Sequence, residues 1–395
     1  MSATDAEIPF EILHGEQAAR VFADAARAEG RVALDTEFWW ERTYAPVLCL
    51  LQAATSDRIV LIDPLEDGVV SPISELVADP AVQLVMHAPA ADLLLFALRE
   101  GSHATNVLDT QVVAGFAGFG AGAGYERLVE AALGIRLLHN ETFSDWRRRP
   151  LSDTQLAYAA DDVRHLFALA DRLRGHLQRL GREDWAEDEL QDRFGDPTRI
   201  EPDPRRAWMK IARRGRLSPR QTAVLAEVAA WREREARRRD LPPGWLMKDP
   251  SLVEVARAQP IDSAALRRVR GVGTLGSAEA SLLDAVKAGK EAPPIESPRE
   301  PAPEIARRAA AISGLATVLL RVRSDDAGIA SELVATRSEL EDFARAAARG
   351  DEHEHQLANG WRAKLVGDEL RRLLDGKISI ATSRKPPYVE IIERD

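Results

Sequence analysis

The chain of 395 residues contains one cysteine, Cys49, so no disulfide can close within it and no zinc site can be built on paired thiolates. That usage fits a reducing compartment and predicts a cytoplasmic protein. No run of 18 apolar residues occurs, and the N-terminus, with Asp5, Glu7 and Glu11, lacks the basic-then-apolar pattern of an export signal. The expectation is a soluble chain that is not exported and has no membrane partner. The Gly-x-x-x-x-Gly-Lys-Ser/Thr loop of nucleotide-driven motors is missing as well. One lookalike of the dinucleotide fingerprint, Gly118-x-Gly120-x-x-Ala123, follows the helix-like stretch Thr110 to Phe116 instead of a strand. It reads as a flexible loop, and no nucleotide cofactor is expected. Hydrophobic residues at 45% are ordinary for a globular protein, and the length predicts two or three domains.

What the chain holds in quantity is carboxylate: 63 Asp and Glu against 53 Lys and Arg, a net charge of −10. The excess is uneven. From Arg205 through Lys290 there are 19 Lys and Arg against 9 Asp and Glu, while the rest of the chain carries 34 against 54. Screening confines each field to roughly 8 to 10 Å, so a basic segment can attract a phosphate backbone on an acidic protein. The arginines at 232, 234, 237, 238 and 239 fall within two helical turns and cannot share one face, so some of them are ordinary solvated side chains.

Up to residue 190, apolar runs at 32–34, 47–51, 58–62 and 83–87 alternate with helical patterns at 16–29, 90–99, 125–133 and 152–180. This reads as an α/β fold, a mixed sheet flanked by helices, with antiparallel pairing first. Three prolines between Arg193 and Arg206 mark a connector, behind which the basic segment can move separately. Ser218 then reads as a helix cap with Pro219 as the first helical residue, and five prolines in 291–304 mark a second linker. The first apolar run delivers Asp35 and Glu37. Residues i and i+2 of a strand share a face, as do i and i+4 of a helix, so Asp35 with Glu37 and Tyr158 with Asp162 each aim two polar groups in one direction. Acids held together raise one another's pKa and require a compensating cation, and hard oxygen ligands suit magnesium or manganese. A metal site is expected. Taken alone, the Asp35-Thr36-Glu37 triplet also fits a strand-end loop of solvated acids.

Asp35 to Phe38, then Thr43 to Pro46 and Leu48 to Gln52, resemble the opening of the ribonuclease D family. His87 to Leu93 is similar to its second motif, Asp109 to Gln111 recurs at the family's spacing, and Ser144 to Leu151 leads into Tyr158 and Asp162. The resemblance implies a ribonuclease H-like exonuclease domain of the DEDD superfamily, tyrosine branch, followed by one or two all-α HRDC-like domains. It implies boundaries at 1–195 for the exonuclease domain, 196–206 for a linker, 207–290 for a basic HRDC domain, 291–304 for the Pro-rich linker and 305–395 for a second, diverged HRDC-like domain. The four carboxylates would be Asp35, Glu37, Asp92 and Asp162, holding two divalent ions, Mg2+ or Mn2+, that act on opposite sides of an in-line displacement. Tyr158 would orient the attacking water. The implied activity is 3′-to-5′ exoribonuclease, releasing nucleoside 5′-monophosphates from RNA 3′ ends, those of tRNA precursors and other structured RNAs among them. A DNA 3′-to-5′ exonuclease would use the same residues. A non-catalytic RNA-binding scaffold is the other alternative, one that a missing carboxylate would mark, and none is missing. The oligomeric state is not legible.

Several residues have two readings. His87 is read as buried and structural, and Asp109 as a helix cap more than a metal ligand. Phe38, Tyr44 and Gln52 are readable either as contacts to the terminal nucleotides or as residues of the fold. Arg147, Arg148 and Arg149 are either phosphate contacts beside the site or a solvated charge run. Trp39 and Trp40 are adjacent, so at least one lies near surface or substrate. Gly271 and Gly273 are either a helix junction approaching phosphate or a plain helix break.

Overall fold

The structure, a computed structural model, describes residues 8–394 except 138–140, 142–143, 213–216, 274, 297–301 and 386–387. Residues 297–301 of the second linker and three arginines of the basic segment, at 213, 214 and 216, therefore lie outside the described residues. Strands β1 (Phe10–Leu13), β2 (Arg31–Trp39), β3 (Val47–Ala54), β4 (Ile59–Ile62), β5 (Gln83–Met86) and β6 (Val107–Asp109) form one sheet in the order β1-β4-β3-β2-β5-β6. β2, β3 and β4 are an antiparallel meander, while β1, β5 and β6 join in parallel. The expected mixed sheet is present, with antiparallel pairing at its centre. The two edge strands are not legible because β6 has three residues and β1 is largely exposed and lacks the continuous apolar run that marks the equally short β4 and β5.

Helices α1 (Glu16–Glu29), α2 (Ser71–Val77), α3 (Ala90–Leu95), α4 (Thr110–Phe116), α5 (Tyr125–Leu133), α6 (Asp153–Arg164), α7 (Leu166–Leu180) and α8 (Glu183–Phe194) cover the sheet. α1, α5 and α7 close on left-handed Gly30, Gly134 and Gly181, the residue type that bears positive φ without penalty. The single helix expected over 152–180 is two. Ser152 and Gln155 cap α6 reciprocally, and the chain breaks at His165 before α7 begins. α4 ends at Phe116, so the Gly118 lookalike follows a helix, as the sequence implied.

The basic segment contributes α9 (Ala207–Ala212), α10 (Pro219–Arg239), α11 (Pro243–Leu246), α12 (Asp249–Ala258), α13 (Ser263–Leu266) and α14 (Ala278–Glu291). They enclose a core of their own around Leu225, Val228, Leu252, Leu282 and Val286. Ser218 and Pro219 start α10 as expected, in a capping box with Gln221. Gly271 sits at positive φ against α12, where its carbonyl accepts from the Ser251 hydroxyl at 2.9 Å, which gives it a packing role at a helix junction.

The last part holds α15 (Pro303–Ala327), α16 (Ser331–Val334), α17 (Arg337–Arg349), α18 (Gly360–Arg362) and α19 (Asp368–Leu374). A hairpin of β7 (Ile378–Thr382) and β8 (Val389–Glu393) follows, so this part is not purely helical. Leu319, Phe343, Trp361 and Leu370 belong to the same apolar core as the six-stranded sheet. Trp361 meets Phe116 edge-on at 4.9 Å and stacks on Trp185 at 5.8 Å, while Arg362 pairs with buried Glu189 at 2.7 Å. A proline-rich linker reports only that the chain leaves one unit, not what the next segment docks upon. Among the described residues, no helix is long and apolar enough to cross a membrane.

Candidate active site

β2 runs from buried Val32, Ala33 and Leu34 into half-buried Asp35 and Glu37, which alternation puts on one face. Register sets Asp35 opposite Gln52 and Glu37 opposite Leu50 of β3. α6 packs across β2, β3 and β4 and carries Tyr158 and Asp162 one turn apart. Asp35, Glu37 and Asp162 each present an oxygen, and the three lie within 4.8 Å of one another. The fourth expected acid, Asp92 in the first turn of α3, stands beside this trio. One of its oxygens accepts the hydroxyl of Thr36, whose side chain points to the opposite face of β2.

Asp92 is buried, and Asp35, Glu37 and Asp162 are half-buried. Burial is the leading cause that pushes Asp35 well above the carboxylate range, Glu37 and Asp162 up to about 8 and Asp92 up to about 6. Repulsion comes second: Asp162 and then Asp92 bear on both Asp35 and Glu37. The Tyr158 hydroxyl donates to Asp162 and opposes its rise. Among the described residues, no arginine, lysine or histidine forms a salt bridge with any of the four. Desolvated, mutually repelling oxygen ligands without a counter-charge fit a divalent cation, since only such a charge offsets both burial and repulsion.

A second layer holds this one. The Tyr125 hydroxyl donates to the Asp161 carbonyl of α6 at 3.1 Å, and its ring lies 5.6 Å from that of His87. His87 Nδ1 is in hydrogen-bond contact with the Thr110 hydroxyl at 2.9 Å, and Asp109 caps α4 by accepting from the Gln111 and Ala88 N–H groups. Both residues have the structural roles expected. Thr36, Tyr125 and Trp146, whose ring lies 6.1 Å from that of Tyr158, were not singled out beforehand. Only Thr36 left a signal, its place between the two acids.

Three of the residues with two readings are engaged within the fold. Tyr44 is buried with its hydroxyl 3.5 Å from Glu233 of α10, and burial followed by that carboxylate pushes its pKa up to about 12. Gln52 is fully buried in a central strand, where its amide has no partner among the described residues and cannot meet a nucleotide. Arg149 is tied to Asp63 through two nitrogens and to the Cys49 carbonyl at 2.7 Å, so it braces the fold. Arg147 and Arg148 remain at the rim. Arg147 pairs with Asp145 at 2.7 Å and lies 4.9 Å over the Trp39 ring, and Arg148 is 84% exposed. Phe38 and Trp39 are half-buried and Trp40 is exposed, which settles which tryptophan faces outward.

A model described as 3′-5′ exonuclease matches residues 10–178, and one described as HRDC domain matches 221–276. Ribonuclease D of Acidiphilium cryptum is 37% identical over 97% of both chains. The chain belongs to the ribonuclease D family. Ribonuclease D of Gluconacetobacter diazotrophicus is 39% identical over 89% of each chain. The crystal structure of Escherichia coli RNase D, an exoribonuclease involved in structured RNA processing, is similar at a TM-score of 0.77 and 30% identity, over 93% of this chain and 99% of that one. As a ribonuclease D-family protein, the chain is a 3′-to-5′ exoribonuclease with RNA as its partner, and its acidic cluster is that of a divalent-metal-dependent hydrolase.

Proposed function

We propose that Asp35, Glu37, Asp92 and Asp162 hold two divalent ions, Mg2+ or Mn2+, and that the enzyme removes nucleoside 5′-monophosphates stepwise from RNA 3′ ends, with tRNA precursors among its substrates in the cytoplasm. The observation that carries this reading is the trio of half-buried carboxylates within 4.8 Å of one another. When bound, the ions supply the positive charge that makes water nucleophilic near neutral pH and offsets charge on the leaving oxygen. The protein does the rest. Tyr158, donating to Asp162, stands where its hydroxyl can orient the attacking water. The Thr36 hydroxyl donates to Asp92 and orients its carboxylate. Arg147, Arg148, Phe38 and the exposed Trp40 form a rim of cations and rings suited to phosphates and unstacked bases. We divide the chain near 195, 206, 290 and 304, with the third unit docked on the first.

The test is a time course on RNA labelled at either end, with the protein first stripped of metal and then given Mg2+ or Mn2+. A 5′ label should pass down a ladder one nucleotide at a time, and a 3′ label should appear at once as mononucleotide. Internal cuts, shortening from the 5′ end, or undiminished hydrolysis in chelator would overturn the reading. An unlabelled DNA of the same sequence as competitor separates RNA from DNA preference.

A further inference from the structure

The turn joining β2 to β3 has little to hold it from within. Among the described residues, positions 41–46 make no backbone–backbone hydrogen bond. Their partner comes from the middle domain. Asp240 ends α10 in the left-handed region, φ 51 and ψ 48, where α1, α5 and α7 use glycine. Its carboxylate leaves its own domain: Oδ1 accepts the N–H groups of Tyr44 at 3.0 Å and Ala45 at 3.3 Å, and Oδ2 pairs with Arg99 at 2.9 Å. Arg99 then donates to the carbonyls of Ala45 at 2.8 Å and Pro46 at 2.9 Å. One carboxylate therefore fastens two elements of the site. The turn continues the strand that bears Asp35 and Glu37, and Arg99 lies in the π-helical turn that extends α3, the helix bearing Asp92.

We propose that Asp240 is a positioning residue for the exonuclease site, through which the middle domain fixes the placement of β2 relative to α3. The inference rests on the proposed metal-binding role of those four acids. Charge-assisted bonds to two adjacent N–H groups and one guanidinium define a direction as well as a distance, so a neutral or shortened side chain there frees the turn. Misplacement of reacting groups by about 1 Å costs on the order of 100-fold in rate. Asp240 acts through Tyr44, Ala45 and Arg99 and touches no substrate.

The test compares full-length wild type with Asp240→Ala, Asp240→Asn and His103→Ala. His103 contacts Glu201, which also pairs with Arg237, so it joins the same two domains without touching the turn. Two quantities are read: the single-turnover rate on a short RNA with enzyme in excess and saturating Mn2+, and Mn2+ affinity by calorimetry without RNA. Asp240→Ala should lower the rate about 10- to 100-fold and weaken Mn2+ binding about 10-fold, with His103→Ala within about twofold of wild type in both. Asp240→Asn tolerates the left-handed backbone and keeps an acceptor for Tyr44 and Ala45, so it should fall several-fold and remain informative if alanine does not fold. Wild-type values in both Asp240 variants would overturn the proposal. So would an equal loss in His103→Ala, which would make the effect one of general docking. A wild type that binds Mn2+ and shortens no RNA would overturn the proposed function, and the Mn2+ affinities would still decide the positioning role.

Discussion

Glu37→Gln should change how stability depends on pH. In EDTA the Glu37 carboxyl is held at about 8 in the folded protein, against 4.5 for an ordinary glutamate, and burial is the chief cause. A folded value above the unfolded one means that the native state binds more protons between those limits, so stability falls as pH rises through the window and is complete only below it. At about 1.4 kcal/mol per decade of proton activity, the penalty from Glu37 reaches on the order of 5 kcal/mol by pH 8. Part of that penalty is repulsion shared with Asp162, so the two carboxyls are not additive. Half-buried His87 has the opposite sign, since desolvation lowers its pKa and folding gains as pH rises. The comparison is therefore between proteins, not along one curve. Thermal melts from pH 5 to 8.5 in EDTA should show the wild type losing about 10 °C relative to Glu37→Gln, at about 2 °C per kcal/mol for a unit of this size. Adding Mn2+ at pH 8 should restore the wild type and do less for the variant. Parallel curves for the two proteins would refute the account of a half-buried, charge-deprived glutamate.

Asp35→Asn and Asp162→Asn should each lower turnover by about 10³-fold or more without change in far-ultraviolet circular dichroism, because each removes charge where several kcal/mol of transition-state stabilisation is supplied. Near wild-type turnover in both would sink the metal assignment. Tyr158→Phe should cost on the order of 10²- to 10⁴-fold in single-turnover rate while RNA affinity holds; weaker binding with unchanged rate would make the tyrosine a substrate contact. Arg149→Ala should destabilise by about 1–3 kcal/mol in urea melts through loss of its Asp63 and Cys49 bonds, and should spare RNA affinity. Arg147→Ala should do the reverse, reducing the salt slope of binding by about 0.7 for one lost single-strand phosphate contact.

The clustering of the proposed metal-binding acids was legible because strand and helix periodicity are local properties: Asp35 with Glu37, and Tyr158 with Asp162, need only i+2 and i+4 to share a face. Caps were legible for the same reason, as Ser218 and Asp109 show. What could not be read were bonds between distant segments. Arg149 and Gln52 look like site residues by proximity in sequence, yet one is taken by Asp63 and the other is sealed in a central strand. The basic segment as a whole reads as able to attract a phosphate backbone, and some arginines of α10 as merely solvated. Arg232 is buried on Asp249, Arg237 meets Glu201, and Arg238 and Arg239 share Glu235, so most of that charge is spent internally. Glu201 of the connector contacts His103 on one side and Arg237 on the other, contacts that composition does not announce.

The continuous core beneath the sheet and the last helices bears on how the chain is made. A ribosome exposes Glu189 long before Arg362, its partner 173 residues later. At about 5–20 residues per second, that interval is roughly 10–35 s. Throughout it, Phe116 and Trp185 wait without the Trp361 ring that covers them, while the middle domain, with a core of its own, can already close. The nascent protein thus holds an open apolar face beside a finished domain, and that interval is when a chaperone or a second nascent chain would find it.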